Sequence, residues 1–419
     1  VSDVKASANG VDNASNAEHS DDMPTVPIPA RKVVTTFDAA SRHERLEVKP
    51  PLTRLFRRTI TKAFSVWLKF STALVRSLDW YPRVEPYVGY GTEHYSRLIC
   101  RTVYGPFKRQ AGRLIRGIRG MLMVPSPHTK VRIAIDDVPI ETVQVGASEV
   151  YDAIDSNPDI SSEFAASDDA GYLDLVAEHS LEPGIHNVSY KVRSRKPVNA
   201  NLFTIPSGTK VGVISDVDDT IMVTQAPRLM KAAYNLLLLN PRKKVPVASM
   251  NLLFNRIADM FTDAPFFYLS TSPWNVESSI RHFITNHGFP EGPLLLRDLD
   301  PRPKTFVPSG VQHKLEYAEQ LMADFPDMKF ILIGDDGQKD PTTYATIARR
   351  YPGRVLAICI RQLTPREVAG NIGSVAGRAN TQPMPVTDVP VFTGATGSNI
   401  MKTMLPYLRA TQAADGETD

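Results

Sequence analysis

A cluster of carboxylates follows an apolar run in the middle of the chain. The run VGVIS leads directly into Asp216, Val217, Asp218, Asp219 and Thr220. Carboxylate oxygens are the ligands that Mg²⁺ prefers, and one ion can bind the side chain of Asp216 together with the backbone or side chain of Asp218. The spacing therefore predicts a magnesium site, although Asp is also common in ordinary turns that follow strands.

The same two aspartates could carry out phosphoryl transfer. A bound Mg²⁺ would neutralise the oxygens of a phosphate, so that Asp216 could attack phosphorus and become a phosphoaspartate. Asp218 would protonate the leaving alcohol and later activate the water that hydrolyses the intermediate. This chemistry predicts a phosphatase with an aspartate nucleophile.

Three later segments supply further groups in an order that suits the same site. The apolar run FFYL ends at Ser270, whose hydroxyl could bind a phosphate oxygen, and Lys314 begins a helical pattern and could stabilise negative charge on phosphorylated Asp216. The run FILI leads into GDDGQKD, in which Asp335 is the expected third metal ligand. The supporting or alternative ligands are Thr220, Asp336 and Asp340. Each could be an ordinary turn or surface residue, whereas their order together favours one active site.

These groups require strands that end at one edge of a sheet. VGVISDV, APFFYLSTS, FILIGDD and RVLAICI are apolar runs typical of buried parallel strands, and helical patterns separate them. The alternation predicts a doubly wound, Rossmann-like α/β domain over residues 207–365, with its functional residues at the carboxyl ends of the strands.

The rest of the chain has different patterns. Residues 83–206 contain short alternating segments between Gly, Pro and Asp turns, which predicts a β-rich, sandwich-like domain. Residues 1–48 are expected to form a disordered tail, because so few bulky apolar residues cannot offset the entropy of ordering. Residues 366–419 are rich in Gly, Ala, Thr and Pro and are expected to be mostly disordered, apart from a short helix over residues 399–408.

Residues 49–82 are expected to form a basic amphipathic helix. Bulky apolar residues recur at helical spacing from Leu52 to Leu78. The basic residues, which lie two positions off this stripe and so roughly opposite it, are Arg54, Arg58, Lys62, Lys69 and Arg76. The pattern suits a helix lying in the surface of an anionic membrane, with Trp67 and Phe70 inserted. A helix packed on its own domain would show the same amphipathicity.

Together these motifs resemble the haloacid dehalogenase superfamily. Its four motifs are matched by Asp216/Asp218/Thr220, Ser270, Lys314 and Asp335/Asp340. More narrowly, the chain resembles the family of the fungal actin-patch-associated phosphatidate phosphatase and its bacterial relatives through ISDVDDTI, FFYLSTSPWN, HGFPEGPLLLRD, HKLEYAE, FILIGDDGQKDPTTYA and PGRVLAICIR. A weaker resemblance to the amino-terminal domain of that family lies in VEPYVGYGT, DDAGYLDL and LEPGIHNV. The resemblance implies a Rossmann-like core and hydrolysis of phosphatidate to diacylglycerol and phosphate.

The resemblance also implies a small helical cap insertion, because superfamily members place substrate-selecting caps where this chain has residues 221–265. The candidate substrate-binding residues are Arg242 and Lys243 within that insertion, and Ser272 and Trp274 after the second strand. The leucines of the insertion could equally pack a cap on the core, and Trp274 could be a buried packing residue. Asp336 stands where relatives usually have Ser, so it either points to solvent or forms hydrogen bonds that alter the pKa values of the site.

Composition limits the functions that the chain could have. With 419 residues, 42% hydrophobic and 22% charged, it is expected to be a soluble globular protein of about two domains. Two distant cysteines favour a reducing compartment, and we identify neither an apolar run of spanning length nor a secretory leader. A net charge of +3 is too small to indicate nucleic acid as a partner. We therefore expect a cytoplasmic protein that contacts the inner face of a membrane peripherally.

The sequence thus predicts a Mg²⁺-dependent phosphatase that hydrolyses a phosphomonoester through a phosphoaspartate, with phosphatidate, a phospholipid, as the expected substrate. One alternative is a soluble phosphatase acting on a small phosphomonoester or a phosphoprotein. Another is a non-enzymatic module in which the β-rich domain binds a partner. The combined presence of Asp216, Asp218, Lys314 and Asp335 argues against the last alternative, since a decayed site would have lost some of them.

Overall fold

The computed structural model describes two folded regions and part of the helix that precedes them. The described residues are 80–105, 124–140, 143–144, 164–166, 171–193, 195–223, 245–297, 310–365, 367 and 383–416, together with the helical residues 62, 66, 67, 69–75 and 77. The expected tail at residues 1–48 lies outside this set, as do the cap residues 224–244 with Arg242 and Lys243.

Ten strands between residues 81 and 204 form one hydrogen-bonded sheet. They are β1 (Tyr81–Pro86), β2 (Gly89–Gly91), β3 (Tyr95–Gly105), β4 (Lys130–Ile135), β5 (Val138–Pro139), β6 (Val143–Gln144), β7 (Phe164–Ala166), β8 (Tyr172–Glu178), β9 (Gly184–Lys191) and β10 (Val198–Thr204). The main order is β5-β4-β9-β10-β2-β3-β8-β6, with β1 paired to β3 and β7 paired to β4. Inward side chains such as Leu98, Ile133 and Val188 form its core. Because β1 begins at Tyr81, the expected helical segment 49–82 extends too far at its carboxyl end.

A second sheet of six parallel strands lies in the carboxyl-terminal half of the chain. Its strands are β11 (Val211–Asp216), β14 (Phe266–Pro273), β15 (Leu294–Arg297), β16 (Lys329–Asp335), β17 (Val355–Arg361) and β18 (Val391–Gly394), and the short β12 (Met222–Val223) and β13 (Val245–Pro246) pair separately. The order is β15-β14-β11-β16-β17-β18, which in sequence order is third, second, first, fourth, fifth, sixth. That is the doubly wound order, in which the direction of winding reverses between β11 and β16 and opens a crevice at their carboxyl ends.

Among the described residues, five α-helices accompany this sheet. They are α1 (Met250–Met260), α2 (Glu277–Asn286), α3 (Gly310–Asp324), α4 (Asp340–Arg350) and α5 (Gly397–Gly416). The helix α1 falls inside the expected cap insertion, yet it buries Leu253, Phe254 and Ile257 in the core of the domain. Residues 250–260 are therefore part of the domain core, and the cap expected within residues 221–265 stays a prediction for residues 224–244, which lie outside the described residues.

The expected disordered tail is wrong for most of residues 383–416, which complete the α/β domain, whereas the helix expected over residues 399–408 is confirmed as part of the longer α5. The strand β18 adds to the sheet beside β17, with Ile358 paired to Val391. Along α5, Ile400, Met404 and Leu408 recur every fourth residue and are buried against the core that α1 also lines. Gly397 begins this helix, and a Cβ there would collide with the carbonyl oxygen of Ser249. The composition of the tail does not indicate β18 and α5, because the long stretch before β18 is rich in Gly and Pro.

The β-rich domain packs against the α/β domain through aromatic side chains. Tyr87 stacks on Trp274 with 4.4 Å between ring centroids. The hydroxyl of Tyr90 donates to Asp324 Oδ2 at 3.0 Å, and that of Tyr95 donates to the carbonyl oxygen of Asp324 at 3.2 Å. Both bonds fix the carboxyl-terminal end of α3.

The helical residues between 62 and 77 expose apolar and basic side chains on one face. Val66 and Phe70 are both 67% exposed and Leu74 is 47% exposed, and the exposed Lys62 and Lys69 flank them at helical spacing. The side that contacts the rest of the protein carries Ser71 and Val75. The expectation that the basic residues lie roughly opposite the apolar stripe stays a prediction. Leu52, Arg54, Arg58, Arg76 and Leu78 lie outside the described residues.

Glu277 is expected to make folding stability depend on pH. It is 2% exposed, its Oε2 accepts a bond from Arg281 at 2.8 Å, and its Oε1 is buried without a partner among the described residues. Burial, opposed by Arg281, raises the pKa of its carboxyl to about 7 from 4.5. Between these values the folded state keeps a proton that the unfolded state has lost, so the free energy of unfolding falls as the pH rises.

The replacement Glu277→Gln should remove this dependence of the free energy of unfolding on pH. The variant should match the wild type near pH 4 and be more stable by roughly 3 kcal/mol at pH 8, measured by denaturant unfolding across that range. Asp259→Asn, at an exposed position on α1, controls for the loss of a carboxylate. A stability difference that does not change with pH would contradict the buried ionisation of Glu277.

Candidate active site

The crevice between β11 and β16 collects the acidic residues that the sequence singles out. Asp216 is the last residue of β11 and Asp335 is the last residue of β16, and these two strands are neighbours with Ser215 paired to Ile333. Both carboxylates are buried, and Asp340 reaches them from the first turn of α4. One carboxylate oxygen from each of Asp216, Asp335 and Asp340 lies within 4.8 Å of the others.

Of the lysines that the structure describes, Lys314 is the one that contacts these carboxylates. The Nζ atom of Lys314, on α3, lies 2.7 Å from Asp216 Oδ1 and also donates to Asp340 Oδ1. Burial lowers the pKa of this ammonium, but the attraction of Asp216 and Asp340 outweighs burial and raises it. Lys314 therefore stays protonated, and it fixes the orientation of Asp216 together with Thr220, whose Oγ1 donates to Asp216 Oδ2 at 3.0 Å.

One positive charge does not balance three buried carboxylates. Burial raises the pKa of Asp216 to about 7 in spite of Lys314. Burial first, and then repulsion from Asp340 and Asp216, raises the pKa of Asp335 well above its usual range. The site consequently has a surplus of acceptors, which a cation or protons must compensate.

The two oxygens of Asp335 have different surroundings. Its Oδ1 accepts hydrogen bonds from the backbone N–H groups of Gly337 at 2.8 Å and Gln338 at 3.0 Å, whereas its Oδ2 is buried without a hydrogen-bond partner among the described residues. A buried carboxylate oxygen with no donor is what a divalent cation would satisfy. Asp216, Asp335 and Asp340 could therefore hold such an ion, and Mg²⁺ fits the all-oxygen donor set.

Asp218 belongs to a different hydrogen-bonded group from the one that the sequence predicts. Its Oδ2 accepts bonds from Ser270 Oγ at 3.0 Å and from Ser272 Oγ at 2.9 Å. The backbone carbonyl of Asp218 accepts from the side-chain amide of Gln338 at 2.8 Å. The alternative ligand Asp340 thus joins Asp216 and Asp335 in the group of close carboxylates, whereas the part of Asp218 in metal binding stays a prediction.

Several predicted substrate contacts lie elsewhere. Ser270 and Ser272 are buried and donate to Asp218, so in this form of the protein neither hydroxyl is turned to an open phosphate position. Trp274 is 1% exposed beneath Tyr87 and is a packing residue at the domain junction, not a wall of an entrance. Arg242 and Lys243 lie outside the described residues.

Asp336 does not point to solvent. Its Oδ1 accepts a hydrogen bond from the backbone N–H of Leu363 at 2.9 Å, and burial raises the pKa of its carboxyl. This bond ties the loop after β16 to the segment that follows β17. Asp336 therefore stabilises the loop beside the site and does not join the group of Asp216, Asp335 and Asp340.

Three residues near the site are absent from the sequence-based candidates. His313 Nε2 lies 3.1 Å from the carbonyl oxygen of Ser270, Gln338 contacts Asp218, and Arg361 donates to the carbonyl of Asp219 at 2.8 Å. Gln338 and Arg361 both follow apolar runs that predict strands. A polar residue at the carboxyl end of a predicted parallel strand is the signal that could have found them.

Comparisons with known proteins relate the α/β domain to a phosphatase family. Residues 211–362 match the family model described as "Phosphatidate phosphatase APP1, catalytic domain". Phosphatidate phosphatase APP1 of Saccharomyces cerevisiae is 29% identical over 208 residues, which cover 48% of this chain and 35% of that protein. An uncharacterized protein of Schizosaccharomyces pombe is 25% identical over 184 residues, covering 44% of this chain and 30% of its own length. The chain thus spans about a third of the length of these two relatives.

Solved structures add no argument about fold. The adhesin InvE of Yersinia pseudotuberculosis covers 30% of this chain and 32% of its own at 13% identity, with a TM-score of 0.17. That score is too low to indicate a shared fold. The relation of residues 211–362 to the phosphatase family therefore rests on sequence.

The surplus of carboxylates predicts a stabilising substitution at the site. Asp335→Asn keeps an oxygen acceptor for the N–H groups of Gly337 and Gln338 and turns an amide donor toward Asp216 and Asp340. In excess chelator the variant should be more stable than the wild type by roughly 1 kcal/mol or more, since functional sites of this kind are held at a cost in stability. The melting temperature should rise by about 2–4 °C for each kcal/mol. Asp327→Asn, at an exposed position, is the control, and a lower melting temperature for Asp335→Asn would contradict the charge surplus.

Proposed function

We propose that this protein is a Mg²⁺-dependent phosphatase that hydrolyses a phosphomonoester through a phosphoaspartate on Asp216, and that its substrate is phosphatidate. The observation that carries the proposal is the buried group of Asp216, Asp335, Asp340 and Lys314, located within the residues that match a phosphatidate phosphatase catalytic domain. The names of the matching family model and of the yeast relative support the choice of phosphatidate.

Asp216 is the proposed nucleophile. An oxygen of its carboxylate would form a bond to phosphorus while the bond from phosphorus to the alcohol oxygen of the substrate breaks. Lys314 and Thr220 each contact one oxygen of this carboxylate, so its orientation is fixed before the substrate binds. Lys314 would also stabilise the negative charge that the phosphoryl group brings to this position.

Asp218 is the proposed proton donor and acceptor. Its proton would pass to the leaving alkoxide oxygen, and the resulting carboxylate would then take a proton from the water that attacks phosphorus and releases Asp216 and phosphate. Ser270 and Ser272 both donate hydrogen bonds to its Oδ2. Both hydroxyls thus position this carboxylate.

The metal would be held by Asp216, Asp335 and Asp340, with the carbonyl of Asp218 adjacent. When bound, Mg²⁺ supplies positive charge that neutralises phosphate oxygens and lowers the repulsion between substrate and nucleophile. The unsatisfied Oδ2 of Asp335 supports this assignment.

A phospholipid substrate requires contact with a bilayer, and the helix before β1 suits that contact. The amphipathic face comprises Lys62, Val66, Lys69, Phe70 and Leu74. Its apolar side chains could enter the headgroup region while the two lysines meet anionic phosphates. No described helix is both long enough and apolar enough to cross a bilayer. We therefore propose peripheral binding to the cytoplasmic face of an anionic membrane.

Replacement of the nucleophile provides the first test. Asp216→Asn should release phosphate from phosphatidate at less than about one hundredth of the wild-type rate, because an amide cannot form the phosphoenzyme. The control Asp327→Asn should behave as the wild type.

Wild-type activity should also depend on Mg²⁺. The panel contains phosphatidate, lysophosphatidate and soluble phosphomonoesters, each with and without chelator. Full activity in excess chelator would contradict the metal assignment, and exclusive activity on soluble esters would exclude phosphatidate as the substrate.

Charge reversal on the amphipathic face provides the second test. The double variant Lys62→Glu/Lys69→Glu should weaken binding to phosphatidylserine vesicles by thirtyfold or more, since each basic residue contributes roughly 1 kcal/mol at an anionic surface. High salt should have the same effect on the wild type. The matched control is Lys329→Glu/Lys402→Glu, which makes the same change of charge at exposed positions elsewhere. Equal vesicle binding by the first variant and the wild type would exclude this face as the docking surface.

A further inference from the structure

Arg361, the last residue of β17, connects three separate parts of the α/β domain. Its guanidinium is 3% exposed, and Nη1 donates to the backbone carbonyl of Asp219 at 2.8 Å. Its Nη2 pairs with Glu367 Oε1 at 2.6 Å, and its Nε donates to the carbonyl of Ala395 at 3.3 Å. All three sides of the guanidinium are therefore engaged, and only one of its partners lies beside the active site.

The partner beside the site is a backbone in an uncommon conformation. Asp219 lies between Asp218 and Thr220 in the acidic turn, defined here as residues 216–220, and its φ angle of 61° is left-handed. Non-glycine residues adopt this conformation only when their surroundings hold them in it. The N–H of Asp219 donates to the carbonyl of Met222 at 2.8 Å, so Arg361 fixes the carbonyl side of a residue whose amide side is already bound.

Of the other two partners, Glu367 lies shortly after β17, and Ala395 belongs to the carboxyl-terminal region that completes the sheet. Glu367 accepts bonds at 2.8 Å from both the backbone N–H and the hydroxyl of Thr364. Burial raises the pKa of Glu367, but the bonds from Arg361 and Thr364 outweigh it and hold the pKa below the usual range. Ala395 follows β18 and precedes α5. The guanidinium of Arg361 is thus fixed by Glu367, which follows β17, and by Ala395, which follows β18.

We propose that Arg361 is a positioning residue that transmits the fixed position of the carboxyl-terminal region to the acidic turn. It does not touch the atoms that react. By fixing the carbonyl of Asp219 it sets the direction in which the preceding Asp218 and the following Thr220 point. The catalytic consequence of this proposal rests on the proposed phosphatase function, whereas the structural consequence does not.

Hydrogen exchange tests the structural consequence without any substrate. In Arg361→Gln, amides of residues 219–222 should exchange at least tenfold faster than in the wild type, as measured on peptides that cover the acidic turn. Arg354→Gln is the matched control, because Arg354 also donates to three backbone carbonyls, those of Met322, Phe325 and Met328, at the amino-terminal edge of the sheet. Exchange in the acidic turn should be unchanged in that control.

Steady-state kinetics of the full chain test the catalytic consequence. Arg361→Gln should lower kcat by about 10- to 100-fold with KM within about twofold, because misplaced catalytic groups slow the reaction without loss of binding. Arg361→Lys should recover part of the loss. Glu367→Gln should lower kcat less than Arg361→Gln, and the double variant should be no slower than Arg361→Gln alone, since both residues act through one contact.

Each outcome decides the proposal. Wild-type exchange in the acidic turn of folded Arg361→Gln would overturn it, as would a loss of kcat in Arg354→Gln equal to that in Arg361→Gln. If Arg361→Gln does not fold, the half-buried Glu367→Gln decides, and unchanged exchange in the turn would overturn the proposal. A wild type that releases no phosphate would refute the proposed function, while the exchange experiment would still decide the role of Arg361.

Discussion

The α/β domain must accommodate a surplus of buried negative charge. Asp216, Asp335 and Asp340 meet in a crevice with Lys314 as the one positively charged side chain that the described residues place against them. Such a group is unfavourable in isolation, because each buried carboxylate loses its hydration. It forms where the parallel strands β11 and β16 end side by side, and a core of buried apolar side chains surrounds these strands. The surplus is also what gives the site its affinity for a cation in the proposed function.

The β-rich domain contributes to this arrangement through α3. Lys314 is near the start of that helix and Asp324 is its last residue. Tyr90 and Tyr95 of the β-rich domain bind Asp324 at one end, while Lys314 binds the carboxylates of the site at the other. A helix fixed at both ends has little freedom to move its ammonium away from Asp216. The described contacts thus give the β-rich domain a structural role in the site, separate from any partner that it binds.

The sequence allows the strands and their carboxyl ends to be predicted, because buried parallel strands are continuous apolar runs and function collects where they end. It is less informative on which side chain meets which. Asp218 and Asp340 are both acidic residues that follow an apolar strand. In the structure, however, Asp218 accepts hydrogen bonds from two serines, whereas Asp340 accepts one from Lys314. The direction of a side chain beyond a strand end depends on the local turn, as the left-handed Asp219 illustrates, and spacing does not encode it. Likewise β18 has only four residues, and its partner β17 lies some thirty positions earlier, so composition could not reveal it.

The acidic turn is held from more directions than a turn of five residues requires. Thr220 binds Asp216 within the turn, and Ser270 and Ser272 bind Asp218 from β14. Gln338 binds the carbonyl of Asp218 from the loop after β16, and Arg361 binds the carbonyl of Asp219 from β17. Three neighbouring strands therefore fix one short segment whose own backbone includes a left-handed aspartate. Strain of this kind persists only where the surroundings over-determine the geometry. Glycine would adopt the left-handed conformation at position 219 without steric cost, whereas Asp219 adopts it within a turn that these hydrogen bonds hold, so the same bonds also fix Asp216 and Asp218 in place.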